Sequence, residues 1–209
     1  MCIRDRLVGC VNNKKFIKSP FGKLDTLSTN DWWNRSDNPI IDLKVDRDDV
    51  IAFGIYTVSN KILKLTAQLF PLYPNESREV ILEIFSDNEW KEVDKKNINE
   101  IGWATTFRLE NWDDSKDIKY KLRHGDNAYF EGLIRKNPNE KNIITMAAFS
   151  CNSNKDRGDR ENYINNIKHI DPDILFFAGD QSYDHKEHTA AWLKFGMQFR
   201  EIFRDRPCI

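Results

Sequence analysis

The sequence predicts a β-sandwich of immunoglobulin-like size followed by the first β-α-β part of an α/β domain, cut short before that domain is complete. Residues 44–136 hold short runs of β-type residues broken by turn signals. Beyond residue 138 two nearly continuous apolar runs appear, and a stretch with helical spacing lies between them. Along the chain this divides into a leader remnant and tether over 1–30, a sandwich over 31–137 and a truncated α/β part over 138–209.

The tether is rich in Asn, Lys, Ser and Thr. Asp31-Trp-Trp-Asn and Pro39-Ile-Ile-Asp-Leu then suggest a segment that docks aromatics onto the next domain. In the sandwich, Val50–Val58 is followed by Ser-Asn, Ile62–Phe70 ends at Pro71 and Pro74, and Glu79–Phe85 ends at Ser-Asp-Asn. Glu89–Val93, Trp103–Leu109 and Lys119–Arg123 alternate in the period of a strand. His-Gly-Asp-Asn then leads into Ala128–Ile134, and these last two runs read as a hairpin. Six or seven such strands fit two antiparallel sheets burying Ile, Leu, Phe and Trp between them. The Cys…Trp…Cys pattern of antibody domains is absent, so the assignment is one of class.

Ile143–Phe149 is nearly continuous in apolar residues, as expected of a strand covered on both faces. Asp159-Arg-Glu-Asn opens a helix whose Tyr163, Ile164, Ile167 and Ile170 follow helical spacing, and Asp171-Pro172 ends it. Ile174–Ala178 is the second apolar run, so the unit contains two parallel strands. A longer helix over 186–203 places Trp192, Phe195, Phe199, Ile202 and Phe203 on one face. Arg206-Pro207 ends it, and Cys208-Ile209 begins a third strand.

Lys plus Arg number 32 against 33 Asp plus Glu, so no net field gathers nucleic acid. Such a balance still admits a phosphate ester as substrate, since bound cations supply local positive charge. No apolar run approaches the ~20 residues of a membrane span. The cysteines stand at 2, 10, 151 and 208, too irregular for a disulfide framework or a Cys-x-x-Cys zinc site.

Open α/β sheets bind ligands at the carboxyl ends of their strands. Ser150-Cys-Asn-Ser153 follows the first strand and Gly179-Asp-Gln-Ser-Tyr-Asp184 the second, on the same sheet edge. Gly179 permits a tight turn, Asp180 presents a carboxylate at the tip, and Tyr183 can turn its phenol back to the same point. Each has a plainer reading. Cys151 alone is a small buried apolar group, and Tyr183 alone a half-buried aromatic. Asp184 reads as a helix cap, and His185 and His188 read as solvated. Lys155 and Arg157 could meet phosphate or simply be solvated. His124, in a turn, and His169, at a helix end, read as structural, and Cys208 as a buried strand residue.

Gly179-Asp180-Gln181-Ser182-Tyr183 resembles the Gly-Asp-x-x-Tyr motif of metallophosphoesterases that pair a tyrosine-bound ferric ion with a second metal. Phe149-Ser-Cys151-Asn, with Cys in place of the Asp-x-Gly of purple acid phosphatases, is similar to the alkaline phosphatase D (PhoD-like) family. Pro172-Asp-Ile-Leu-Phe-Phe-Ala-Gly-Asp and Phe203-Arg-Asp-Arg-Pro resemble that family too. The resemblance covers residues 40–209 and implies a metal-dependent hydrolase of phosphate mono- or diesters. It implies Asp180 bridging two metals, Tyr183 as a phenolate on Fe(III), Cys151 as a thiolate on the same ion, and Ca(II) as the second metal. The family's later Asp-Asp-His, His, Asn and Asp ligands do not occur in this sequence, which implies an inactive fragment of an active parent.

Met1–Arg6 resembles the translation of a sequencing adapter, and Leu7-Val8-Gly9-Cys10 the end of a bacterial lipoprotein signal. Cys10 would then carry lipid and tether the chain outside the cytoplasm, in the periplasm or on the cell surface. Two other readings remain. One is a surface-binding module whose sandwich grips glycan or protein through exposed Trp32, Trp33, Trp90 or Trp112. The other is a purple-acid-type hydrolase, disfavoured by Cys151.

Overall fold

The computed structural model describes residues 45–152, 160–183 and 188–209. Among the described residues, nine strands and two α-helices follow in chain order. They are β1 (Ile51–Ser59), β2 (Ile62–Leu69), β3 (Glu79–Ser86), β4 (Glu89–Asn97), β5 (Ala104–Leu109), β6 (Ile118–His124) and β7 (Ala128–Ile134), then β8 (Met146–Phe149), α1 (Glu161–Ile170), β9 (Ile174–Phe177) and α2 (His188–Phe203). The first seven strands form two antiparallel sheets, ordered β1-β2-β5 and β4-β3-β6-β7; β8 and β9 pair in parallel.

Local sequence sets the hairpins. Asn60 and Lys61 join β1 to β2, and Asp87 and Asn88 join β3 to β4, all four with φ between 52° and 65°. Two-residue loops of this hand match the twist of the paired strands, and apart from glycine Asn and Asp tolerate them best. Gly125 (φ 57°) opens the loop from His124 to Ala128. His124 is therefore the last residue of β6, buried with its ring near the Glu79 carbonyl, and not a turn residue.

The inner faces of the two sheets meet. A Cβ on Gly54 of β1 would lie 3.0 Å from Leu122 and 3.1 Å from Phe130, on β6 and β7. Tyr56 and Tyr120 pack edge to face across the same gap, with ring centroids 6.3 Å apart. Trp103, Phe107 and Trp112 are buried alongside.

The α/β part is welded to this core. α2 lies along β1, where Phe53 packs against Trp192 and Phe203 at centroid distances of 5.6 and 6.0 Å. Trp192 is partly exposed, but its Nε1 donates to Gln68 Oε1 at 3.0 Å. Leu133 N–H donates to the Arg204 carbonyl at 2.8 Å, and Cys208 N–H to the Tyr56 carbonyl at 2.9 Å. Arg206, only 3% exposed, reaches Asp171 at 2.7 Å, and Arg135 at the end of β7 reaches the same carboxylate at 2.7 Å. Asp171 sits in the left-handed region (φ 54°) as the C-cap of α1. The ion pairs thus join the last sheet strand, the end of α1 and the C-terminal segment.

Gly132 of β7 owes its identity to this junction. A Cβ there would stand 2.0 Å from the Arg204 carbonyl oxygen and 2.6 Å from the Tyr120 ring. Gly132→Ala is expected to cost about 2–3 kcal/mol, read as a lower urea midpoint, because the obstacle is backbone.

One expectation is corrected. Among the described residues, the apolar run before residue 150 is covered on one face only. Its strand begins only at Met146, and Ile143, Ile144 and Met146 are 77%, 51% and 56% exposed. Among the described residues, both helices lie on one side of the β8–β9 pair. There Phe149 and Phe177 stack at 4.5 Å and meet Phe199 at 5.5 and 5.3 Å. For the same reason Ile164 and Ile167 of α1 are buried while Tyr163 and Ile170 are exposed. Cys208 and Ile209 do enter this sheet, with Ile209 N–H bonded to the Leu175 carbonyl at 2.9 Å.

Burial pushes the Cys208 thiol well above its ordinary value of 9.0, and the Tyr56 and Tyr120 phenols above theirs of 10.0. Each is an acid that holds its proton more tightly folded than unfolded. Stability is therefore complete below the ordinary values and falls as pH rises past them, by roughly 1 kcal/mol per pH unit per group. Melting temperature should decline from about pH 9 upward, and Cys208→Ala should flatten the first part of that decline.

Candidate functional site

Parallel pairing sets Phe149 opposite Phe177, so β8 and β9 end level with each other. The last ladder bond runs from Ala178 N–H to the Phe149 carbonyl at 2.8 Å. Past it, both chains turn sharply. Gly179 has φ 101°, while Asp180 (φ 54°) and Cys151 (φ 58°) occupy the left-handed region. That region costs a non-glycine residue about 1–2 kcal/mol, and Asp bears it better than Cys. Such strain gathers where side chains must be aimed.

The aim is mutual. Tyr183 Oη donates to Asp180 Oδ2 at 3.3 Å, and the Cys151 thiol lies near enough to bear on the ionisation of the phenol. Ser150 Oγ lies 3.4 Å from the same sulfur. Cys151 and Asp180 are exposed and Tyr183 is half-buried. A thiol, a carboxylate and a phenol therefore lie together beyond two adjacent strand tips. The neighbouring Cys151 thiol, then slight burial and the charge of Asp180, push the Tyr183 phenol up to about 12. These acids crowd one another, and a second negative charge is unwelcome among them.

That crowding is what a cation would relieve. All three groups bind metals as anions, and a cation at their meeting point would favour the ionised form of each. Carboxylate and phenolate are hard donors suited to a highly charged ion, and the thiolate adds a softer one. Among the described residues, no cluster of three or more His, Cys, Asp or Glu occurs, so the phenol is needed to make a set of three.

Two features were not foreseen from the sequence. Gln181 spans the strand tips, its Nε2 donating to the Phe149 carbonyl at 3.1 Å and the Gly179 carbonyl at 2.7 Å. A cavity of about 240 Å³ opens beside Cys151, with Ser150, Asn152 and Arg160 at its polar side and Tyr163 and Phe199 at its aromatic side. Neither leaves a local signal, since both depend on the closeness of segments that are separate in the sequence. Asp184, His185, Lys155, Arg157 and Cys10 lie outside the described residues, as does the side chain of His188.

On the outer face of the sandwich, Phe85 packs against Trp90 with ring centroids 5.3 Å apart, and Tyr129 is exposed. Trp112 is buried, and Lys121 Nζ sits 4.0 Å above the ring of Trp90. Lys121 and Arg123 in turn pair with Glu83 on the same outer face, so its charges are mutually satisfied. Trp32 and Trp33 lie outside the described residues.

No family model matches the chain, and no curated protein matches it. Among solved structures it is similar to the structure of PhoD, with a TM-score of 0.59 at 14% identity. The likeness covers 79% of this chain and 39% of that one, so the chain spans well under half the length of its structural neighbour. Its fold is PhoD-like.

Proposed function

We propose that this chain is the leading part of a PhoD-like, metal-dependent phosphoesterase, with Cys151, Asp180 and Tyr183 as its share of the metal ligands. One observation carries the reading. Thiol, carboxylate and phenol converge at neighbouring parallel-strand tips, in a chain whose fold is like that of PhoD. The sheet order β1-β2-β5 over β4-β3-β6-β7 supports reading the leading domain as immunoglobulin-like.

Tyr183 and Cys151 would hold an Fe(III) ion as anionic donors, and Asp180 would help to hold both that ion and Ca(II). When bound, such cations neutralise charge on the phosphoryl group during its transfer. The chain's own work is to present the three donors at one point, with Gly179 allowing the turn that lifts Asp180 over the tip. Three donors leave two cations under-coordinated, so the 209-residue chain by itself would not hydrolyse esters. The substrate is a phosphate ester outside the cytoplasm, and a lipid on Cys10 would tether the protein to a membrane.

The test is hydrolysis of a chromogenic phosphate ester, with iron and calcium supplied, by the longest polypeptide its gene encodes. Activity should fall to background when Cys151 and Asp180 are both changed to alanine. Undiminished turnover by that double variant would rule out the site. Turnover by the 209-residue chain alone would rule out its incompleteness.

A further inference from the structure

We infer that Gln181 is a positioning residue, a side-chain clamp that locks the Cys151 loop to the Asp180 loop and so holds the donors of the candidate metal site together. The inference rests on the reading of that site given above. The β8–β9 ladder cannot do this work, because the donors lie beyond it. Cys151 stands two residues past the end of β8 and Asp180 three past the end of β9. Beyond the Ala178–Phe149 bond, the next tie between the two tips among the described residues is the Gln181 amide.

The chemistry of the amide fixes its orientation. Both groups it faces are backbone carbonyls, which only accept, so Nε2 must point at them and Oε1 away. The Phe149 carbonyl then accepts from both Ala178 N–H and Gln181 Nε2, which uses its two lone pairs and pins the end of β8. The bond to the Gly179 carbonyl fixes the peptide leading into Asp180, whose left-handed backbone sets the direction of its carboxylate. Without the clamp, two strained loops beyond the end of the ladder lose a direct tie between them. Metal sites need such outer partners to keep ligands aimed before the ion arrives.

Side-chain identity matters here in a way that can be measured. Methionine keeps the length of glutamine but donates nothing, and glutamate would turn an acceptor toward two carbonyls. For Gln181→Met and Gln181→Glu, Fe(III) affinity of the 209-residue chain should fall about 10- to 100-fold. The melting temperature should stay within a degree or two, and the visible band of iron-bound phenolate should persist at saturation. A merely structural residue would lower the melting temperature with the affinity. Wild-type affinity in Gln181→Met would overturn the inference.

A second measurement needs no metal and separates the clamp from the site. Amide exchange at Ala178, whose N–H shares the Phe149 carbonyl with Gln181, should quicken about tenfold or more in metal-free Gln181→Met. Unchanged exchange would overturn the clamp. If the wild-type chain takes up no Fe(III), the metal-site reading fails, and faster exchange in the variant still establishes that Gln181 joins the two loops.

Discussion

Changing Gly196 to alanine will destabilise the protein by about 2–3 kcal/mol and lower its melting temperature by several degrees. The direction runs against local expectation. Gly196 lies inside α2, where helix propensity alone favours alanine by about 1 kcal/mol. Yet a Cβ at this position would stand 1.8 Å from one carbon of the Phe53 ring and 2.1 Å from another. Phe53 is fully buried between Trp192 and Phe203 and has nowhere to go. The helix approaches β1 this closely because residue 196 has no side chain. In a Phe53→Leu background the smaller side chain leaves room, so the cost of Gly196→Ala should shrink and the two changes should be non-additive. Thermal melts of the four proteins decide the matter. A Gly196→Ala variant that melts higher than wild type would mean that α2 does not pack on β1 in this way.

Asp180→Asn will lower cation affinity at least about 100-fold while leaving the fold intact. Asparagine suits the left-handed backbone at φ 54° nearly as well as aspartate, so the change removes charge without disturbing the turn. It should also let the Tyr183 phenol ionise below its value of about 12, since one source of repulsion is gone. Equilibrium dialysis against iron and calcium measures the first effect, and absorbance of the phenolate in alkaline titration the second. Equal uptake by wild type and variant would remove Asp180 from the site.

Much of the fold was legible because strands and helices write their periods into the sequence. The Gly-containing turn after β6 marks Ala128–Ile134 as a hairpin strand with the same bounds the structure has, and Asp171 ends α1 where its Pro neighbour implies. The turn of Tyr183 back toward Asp180 follows from a tight turn at Gly179 and a spacing of three residues. What could not be read are facts of tertiary placement. An apolar run does not reveal whether helices will cover one face or two, and Met146 proves exposed. A glycine within a helix pattern does not announce a phenylalanine waiting against it, and a glutamine between an aspartate and a tyrosine does not announce two distant carbonyls. Within the site, chemistry-bearing residues were visible as types; the side chain that joins their loops was not.

Titration of the purified chain with Fe(III), followed by visible absorption, asks most directly whether the three donors hold a cation. Wild-type protein should develop a phenolate-to-iron charge-transfer band that saturates at one ion per chain. Tyr183→Phe should develop none, while its melting temperature stays close to that of the wild type. A band that survives in Tyr183→Phe, or fails to appear in wild type, would contradict the site built here from Cys151, Asp180 and Tyr183.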